Sequence, residues 1–195
     1  MQLLVKRALD HAAVWHRSQL RKYPRGDVPY ISHSAGVAVI LGRHLFDDEI
    51  VAAGVLHDVM EDCGVSYDSL LGLFGQRVAD LVRAVTEADK TLSWETRKRE
   101  YLDQLSRSPW DAQAIAIADK LDNFESIAVC SREHGNPWAM FRRGRGAQVA
   151  YFEEFLRIAE NRAPHPLVDE LREAFREIKD IPDDENQGRT AGKEG

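Results

Sequence analysis

The stretch VAAGVLHDVMEDCGVS, residues 51–66, opens on small and apolar side chains and then sets one histidine and three carboxylates into six positions. Like the segments around it, it shows the three- and four-residue apolar spacing of a helix rather than the alternation of a strand. The preceding Phe46-Asp47-Asp48-Glu49 supplies capping carboxylates, so a helix is predicted over about residues 48–62. One continuous helix would put His57 beside Glu61, and Asp58 beside both Glu61 and Asp62. Ionised residues at a helix end are usually just solvated. The alternative is a metal site, in which some of the four hold an ion while the others handle protons or water.

Working outward, the same spacing predicts a first helix over residues 2–19, with Leu3, Leu4, Ala8, Ala12 and Trp15 on one face. RKYPRGDVPY (21–30) reads as a loop by its Pro and Gly, and a second helix runs from Ser32 to Leu45. Ser66 can cap a short helix through Phe74, and QRVADLVRAVT makes another. SWETRKREYLDQLSR is a charged helix. Ser108-Pro-Trp-Asp111 reads as a capping box that starts the helix AQAIAIADKLDNFESIAVC. Asn136-Pro137 begins a further helix towards Glu160, with an interruption expected near Gly144 and Gly146, and PLVDELREAFREIKD forms the last. The expectation is an all-α domain of about eight or nine helices over residues 1–180. The apolar-poor stretch 181–195 would be a disordered tail.

Bulk properties narrow the function. The chain has 195 residues, 44% hydrophobic and 30% charged, enough for one domain with a proper core. Its net charge of −6 argues against a general nucleic-acid or membrane-surface binder, so an anionic ligand must be held by local basic residues. Cys63 and Cys130 form no zinc-type spacing and no disulfide framework. No run is long and apolar enough for a membrane span, and the N-terminus lacks a signal-peptide cleavage pattern, so a cytoplasmic location is expected. Oligomeric state is not legible.

Two further places carry chemistry. Asp119 follows a small apolar run in AIAIADKLDN, and a bare buried carboxylate costs several kcal/mol, so it should pair with a cation or bind a metal. Asn123 lies one turn on, with Asp122 between. His33, in VPYISHSAGVAVIL, stands at the first turn of an apolar helix, where a lone histidine is more often structural than a ligand. Taken together, His33, His57, Asp58 and Asp119 form a two-imidazole, two-carboxylate set without thiolate. Such a set suits Mn²⁺, Fe²⁺ or Zn²⁺, its oxygens leaning to Mn²⁺, and open positions for water would point to hydrolysis.

The order H…HD…D resembles the signature of HD-domain metal phosphohydrolases. RKYPRGDVPYISH, VLHDVMEDCGVS, FGQRVADLVRAVTEADK and IADKLDN are similar to the (p)ppGpp hydrolase branch, above all its small single-domain hydrolases of the Mesh1 type, related to the hydrolase domain of Rel and SpoT. The likeness spans about residues 5–160. It implies an all-α fold and one divalent ion, most often Mn²⁺, on His33, His57, Asp58 and Asp119. It implies a catalytic pair at Glu61 and Asp62. Arg21 and Lys22 would flank the guanine. Lys90 and Arg97 to Arg99 would meet phosphates, and Asn123 and Tyr151 would contact the nucleotide. The implied reaction removes the 3′-pyrophosphate of ppGpp or pppGpp. Alternatives are an HD phosphohydrolase for another nucleotide such as NADPH, or a module that binds the alarmone without hydrolysing it. Three positions depart from the family pattern: Ser34 where proline is usual, Cys63 where threonine is usual, and Asp122, which would add an anion beside the phosphates. The arginines of FRRGRGAQ cannot be assigned singly.

Overall fold

The longest helix, α8 (Trp110–Glu133), owes its central place to size: Ala112, Ala114, Ala116 and Ala118 are buried and let neighbouring backbones come close. The computed structural model describes residues 3–23, 27–87, 91–162 and 164–183. Among these lie α1 (Leu3–Trp15), α2 (Ile31–Arg43), α3 (Asp48–Val55), α4 (Val59–Cys63), α5 (Tyr67–Phe74), α6 (Gln76–Val85) and α7 (Trp94–Arg107). After α8 come a 3-10 turn (Pro137–Met140), α9 (Gly144–Glu160) and α10 (Pro166–Lys179). The all-α architecture is as expected.

Helices α2, α3, α6 and α10 pack on α8, and α2 and α3 also pack on each other. Three helices thus meet pairwise around one point, which fixes whatever side chains they aim there. Gly54 on α3 permits a close approach to α2, since a Cβ at that position would stand 2.4 Å from Leu41 Cδ1.

Several expected elements are divided or trimmed. The helix expected over 48–62 breaks at a turn over Leu56–Asp58, giving α3 and α4. The segment from Pro137 is interrupted as expected, at Gly144 with φ 71°, into the 3-10 turn and α9. The first break adds an α-helix and the second a 3-10 turn, giving ten α-helices among the described residues. The first helix stops at Trp15. The backbone N–H groups of Arg21 and Tyr30 then donate to Val28 O and Gln19 O, making a Leu20–Pro29 bridge. Leu3 is 83% exposed, and Val5 takes its place in the core.

Caps follow the sequence in part. Asp47 accepts from the backbone N–H of Glu49 and Ile50, Ser66 from Ser69, and Asn136 from Trp138. The capping box at Ser108–Asp111 does not form. Ser108 instead closes α7, its hydroxyl donating to Gln104 O, and Asp111 turns to Arg77. The expected tail lies, from residue 184 on, outside the described residues. At its start, Ile181 O accepts from Trp138 Nε1 and from Arg145 Nε.

Candidate metal centre and cleft

His33 comes from the first turn of α2, His57 and Asp58 from the break between α3 and α4, and Asp119 from the middle of α8. The break matters. On a continuous helix His57 and Asp58 would diverge by about 100°, whereas here both reach the same point. His57 Nε2 lies 3.0 Å from Asp58 Oδ2, 3.2 Å from His33 Nε2 and 3.7 Å from Asp119 Oδ1. His33 Nε2 lies 3.2 Å from Asp119 Oδ1 and 3.9 Å from Asp58 Oδ2. Four residues distant in the chain therefore present two nitrogens and two oxygens to one small volume. The two imidazoles are buried, 2% and 4% exposed.

The far side of each ring settles which nitrogen faces inward with a lone pair. His57 Nδ1 is 2.8 Å from Gly54 O, a pure acceptor, so Nδ1 carries the proton. His33 Nδ1 is 2.5 Å from Asp122 Oδ2, which makes the same demand. Both Nε2 atoms are left as the inward-facing donors, the arrangement that metal-binding histidines use. The donor set thus fits a divalent ion, and His33, His57 and Asp58 have ligand atoms near enough together to share one.

Electrostatics in the cluster favour positive charge. Burial opposes a charge on His57, yet Asp58 and Asp119 outweigh it and hold the imidazole pKa well above its ordinary value. Burial pushes Asp58 up, but the His57 imidazole holds it below the usual carboxylate range. Asp119 behaves likewise: Lys120 and the two imidazoles overcome its burial and keep it low. Lys120, also buried, is held high by Asp119, to which its Nζ donates at 2.7 Å.

Beside the cluster opens a cleft of about 730 Å³, which Arg21, Lys22, Glu61, Asp62, Arg97, Asn123 and Tyr151 all line. Of the expected substrate contacts, Lys90 lies outside the described residues. Arg97 reaches the cleft but its guanidinium donates to Glu87 Oε2 at 3.0 Å, and Lys98 pairs with the other oxygen of Glu87. Arg99 is exposed. Asn123 also reaches the His33–His57 cluster, its Nδ2 donating to Asp119 Oδ1 at 2.6 Å and so orienting that carboxylate. Tyr151 is buried, and its hydroxyl finds no hydrogen-bond partner among the described residues. Asp62 accepts from Gln19 Nε2 at 2.8 Å. Glu61 lines both the cleft and a narrow recess behind it.

Asp122, expected as an anion beside the phosphates, meets His33 Nδ1 on α2 and the guanidinium of Arg21. Three further groups were missed by sequence reasoning. Tyr30 donates its hydroxyl to Asp58 Oδ2; its place three residues before His33, one helical turn, was the available signal. Lys120 was visible only as a neighbour of Asp119. Glu87, which neutralises Arg97 and Lys98, gave no signal at all. Of the unassigned arginines, Arg142 lines the cleft, Arg143 faces Glu95 at 3.2 Å, and Arg145 binds the C-terminal end of α10 through Lys179 O.

Comparison with known proteins agrees with this geometry. The HD domain profile matches residues 8–141. Guanosine-3′,5′-bis(diphosphate) 3′-pyrophosphohydrolase MESH1 of Homo sapiens is 41% identical over 128 residues, 65% of this chain and 70% of the relative. The Drosophila melanogaster MESH1 is 40% identical over 123 residues, 62% and 68% of the two chains. A solved structure described as a metazoan ortholog of SpoT that hydrolyzes ppGpp superposes with a TM-score of 0.78 at 32% identity, covering 91% of this chain and 96% of that one. A Listeria monocytogenes structure gives 0.70 at 36% identity, over 75% and 98%. No helix among the described residues is long and apolar enough to cross a membrane. With its two inward-facing imidazoles, its paired carboxylates and a match over residues 8–141, the chain belongs to the HD-domain family.

Proposed function

We propose that this protein is a cytoplasmic, Mn²⁺-dependent hydrolase that removes the 3′-pyrophosphate of ppGpp or pppGpp, releasing GDP or GTP. The observation that supports the reading is the pair of imidazole Nε2 atoms 3.2 Å apart, each turned inward by an acceptor on its Nδ1 and flanked by Asp58 and Asp119. The naming of relatives as guanosine-3′,5′-bis(diphosphate) 3′-pyrophosphohydrolases supplies the substrate class. When bound, a divalent ion supplies Lewis acidity to a phosphoryl oxygen and to the attacking water.

The remaining work falls to the chain. His33, His57, Asp58 and Asp119 hold the ion. Tyr30 and Asn123 orient the two carboxylates, their donated hydrogen bonds occupying one lone pair on each. Glu61 and Asp62 position water and move protons, with Gln19 fixing the Asp62 carboxylate. The cleft of about 730 Å³ has the size of a nucleotide site. Substrate phosphates would take the place of Glu87 on Arg97 and Lys98, with Lys90 assisting, while Arg21 and Lys22 receive the base and Tyr151 meets the nucleotide with its unpartnered hydroxyl. A small anionic nucleotide also suits a chain whose net charge of −6 disfavours nucleic acid.

The test is a turnover assay with Mn²⁺ against ppGpp, pppGpp, NADPH and a panel of nucleotides. Pyrophosphate release from ppGpp or pppGpp is expected. Binding without turnover would favour an alarmone-sensing module, and faster attack on NADPH a different phosphohydrolase.

A further inference from the structure

Asp122 lies on α8 one helical turn beyond Asp119, and its side chain is 13% exposed. Its Oδ2 meets His33 Nδ1 at 2.5 Å. That approach is open only because residue 36, on the facing turn of α2, is glycine: a Cβ there would stand 1.9 Å from Asp122 Oδ1. The same Oδ2 lies 3.4 Å from the guanidinium of Arg21, which donates to Ser126 Oγ at 2.6 Å. One carboxylate oxygen therefore touches both a histidine of the metal cluster and a cation of the cleft wall.

We propose that Asp122 is a positioning residue for the metal centre, with Gly36 providing the space it needs. It fixes His33 with the Nε2 lone pair towards the ion and holds Arg21 at the cleft wall through the same oxygen. The proposal rests on the metal-binding role assigned above to His33.

The physical case is one of selection between two tautomers. An imidazole alone carries its proton on either nitrogen, and only the form protonated at Nδ1 can ligate through Nε2. An acceptor at Nδ1 selects that form and stops the ring from turning; such supports typically contribute 10- to 100-fold in metal affinity or activity. The two histidines are supported unequally. His57 has a neutral carbonyl, Gly54 O, and His33 a carboxylate. An anionic acceptor makes the stronger hydrogen bond, so His33 depends most on its partner. A purely structural role, as the ion-pair partner of Arg21, would tie α8 to Arg21 and do nothing more.

The experiment is calorimetric titration of Mn²⁺ into metal-stripped wild type, Asp122→Asn, Gly36→Ala and Arg21→Ala, with melting temperatures measured alongside. Asp122→Asn keeps the shape and removes the charge, while Gly36→Ala keeps the carboxylate and pushes it off His33. Both are expected to weaken Mn²⁺ binding about 10- to 100-fold. Arg21→Ala is expected to leave Mn²⁺ affinity unchanged and raise the KM for nucleotide. At saturating Mn²⁺, Asp122→Asn should regain most of kcat but keep a raised KM. Lowered melting temperatures with unchanged Mn²⁺ affinity in both Asp122→Asn and Gly36→Ala would overturn the proposal. A measurement on the unaltered protein covers variants that do not fold: ring ¹⁵N spectra should show metal-free His33 protonated at Nδ1, and a neutral Nε2-protonated ring would overturn it too. Wild type that takes up no Mn²⁺ would overturn both this proposal and the metal reading beneath it. The titration contains no nucleotide, so a protein that binds Mn²⁺ as described but leaves ppGpp intact contradicts the proposed substrate alone.

Discussion

At its N-terminal end α3 carries Asp47, Asp48 and Glu49; just past its C-terminal end come His57, Asp58, Glu61 and Asp62. By composition the two clusters look alike. At the first, every organising contact is already complete. Asp47 accepts two backbone N–H groups at 3.1 Å, and Arg77 reaches Asp47, Glu49 and Asp111 at 2.8–2.9 Å in a half-exposed setting. The helix dipole favours anions there as well. At the second, Glu61 and Asp62 also lie in a first helical turn, that of α4, but His57 is buried and its Nε2 faces the Asp58 and Asp119 carboxylate oxygens and the Nε2 of His33. The first cluster is saturated, and the second is arranged to receive a cation. What separates them is burial and the direction of lone pairs, neither of which composition reveals.

The sharpest way to break the comparison is at Glu61, which belongs to the second cluster but not to its proposed ligands. Glu61→Gln should keep Mn²⁺ affinity while turnover falls by about 10²- to 10⁴-fold, the usual worth of a proton-handling group. Undiminished kcat at saturating Mn²⁺ would remove Glu61 from the chemistry. At the other end, Asp47→Ala should cost about 1 kcal/mol of stability, as a lost helix cap does, with Mn²⁺ affinity untouched. Burial of Asp47 acts to raise its pKa, but the N–H groups and Arg77 prevail and lower it. A lowered folded-state pKa means that the ionised form stabilises the fold above the unfolded value, about 3.9, and that this contribution disappears as pH falls through the folded value. The urea midpoints of wild type and Asp47→Ala should therefore differ at pH 7, with the gap beginning to close below about pH 4 and vanishing below the lowered folded-state value. A gap that persists in acid would show that the cap carboxylate is not what the variant lost.

The smallest effect concerns the turn that leads into α3. Leu45 has φ 61° and is 91% exposed, and the N–H groups of Leu45 and Phe46 bond back to Gly42 O and Leu41 O. This is a Schellman closure, in which glycine ordinarily occupies the left-handed position. Leu45→Gly should raise stability by up to about 1 kcal/mol, the relief of left-handed strain less the added unfolded-chain entropy. Kinetics should be unchanged; a destabilised variant would mean that the leucine side chain contributes packing at that turn.

The fold was legible wherever local physics decides it. Apolar spacing gave the helices, and Asp47, Ser66 and Asn136 capped where their side chains said they should. The capping box at Ser108 failed because the preceding helix claimed that hydroxyl first. The break at Leu56–Asp58 was not legible, since nothing in VLHDV is a helix breaker; it arises where α2, α3 and α8 meet. The four proposed ligands could be drawn from the sequence because a histidine and carboxylates on apolar helices are expensive unless partnered. Their supports could not. Gly54 O, Asp122 and Tyr30 act through contacts set by helix packing, and Gly36 reads as an ordinary glycine until the residue facing it is known.

The convergence of α2, the α3–α4 break and α8 on a single ion can be observed directly by diffraction at the manganese absorption edge, from crystals grown with Mn²⁺. One anomalous peak is predicted, bounded by His33 Nε2, His57 Nε2 and the carboxylates of Asp58 and Asp119. A protein saturated with Mn²⁺ that shows no peak there, or shows its peak at the carboxylates around Arg77, would contradict the account.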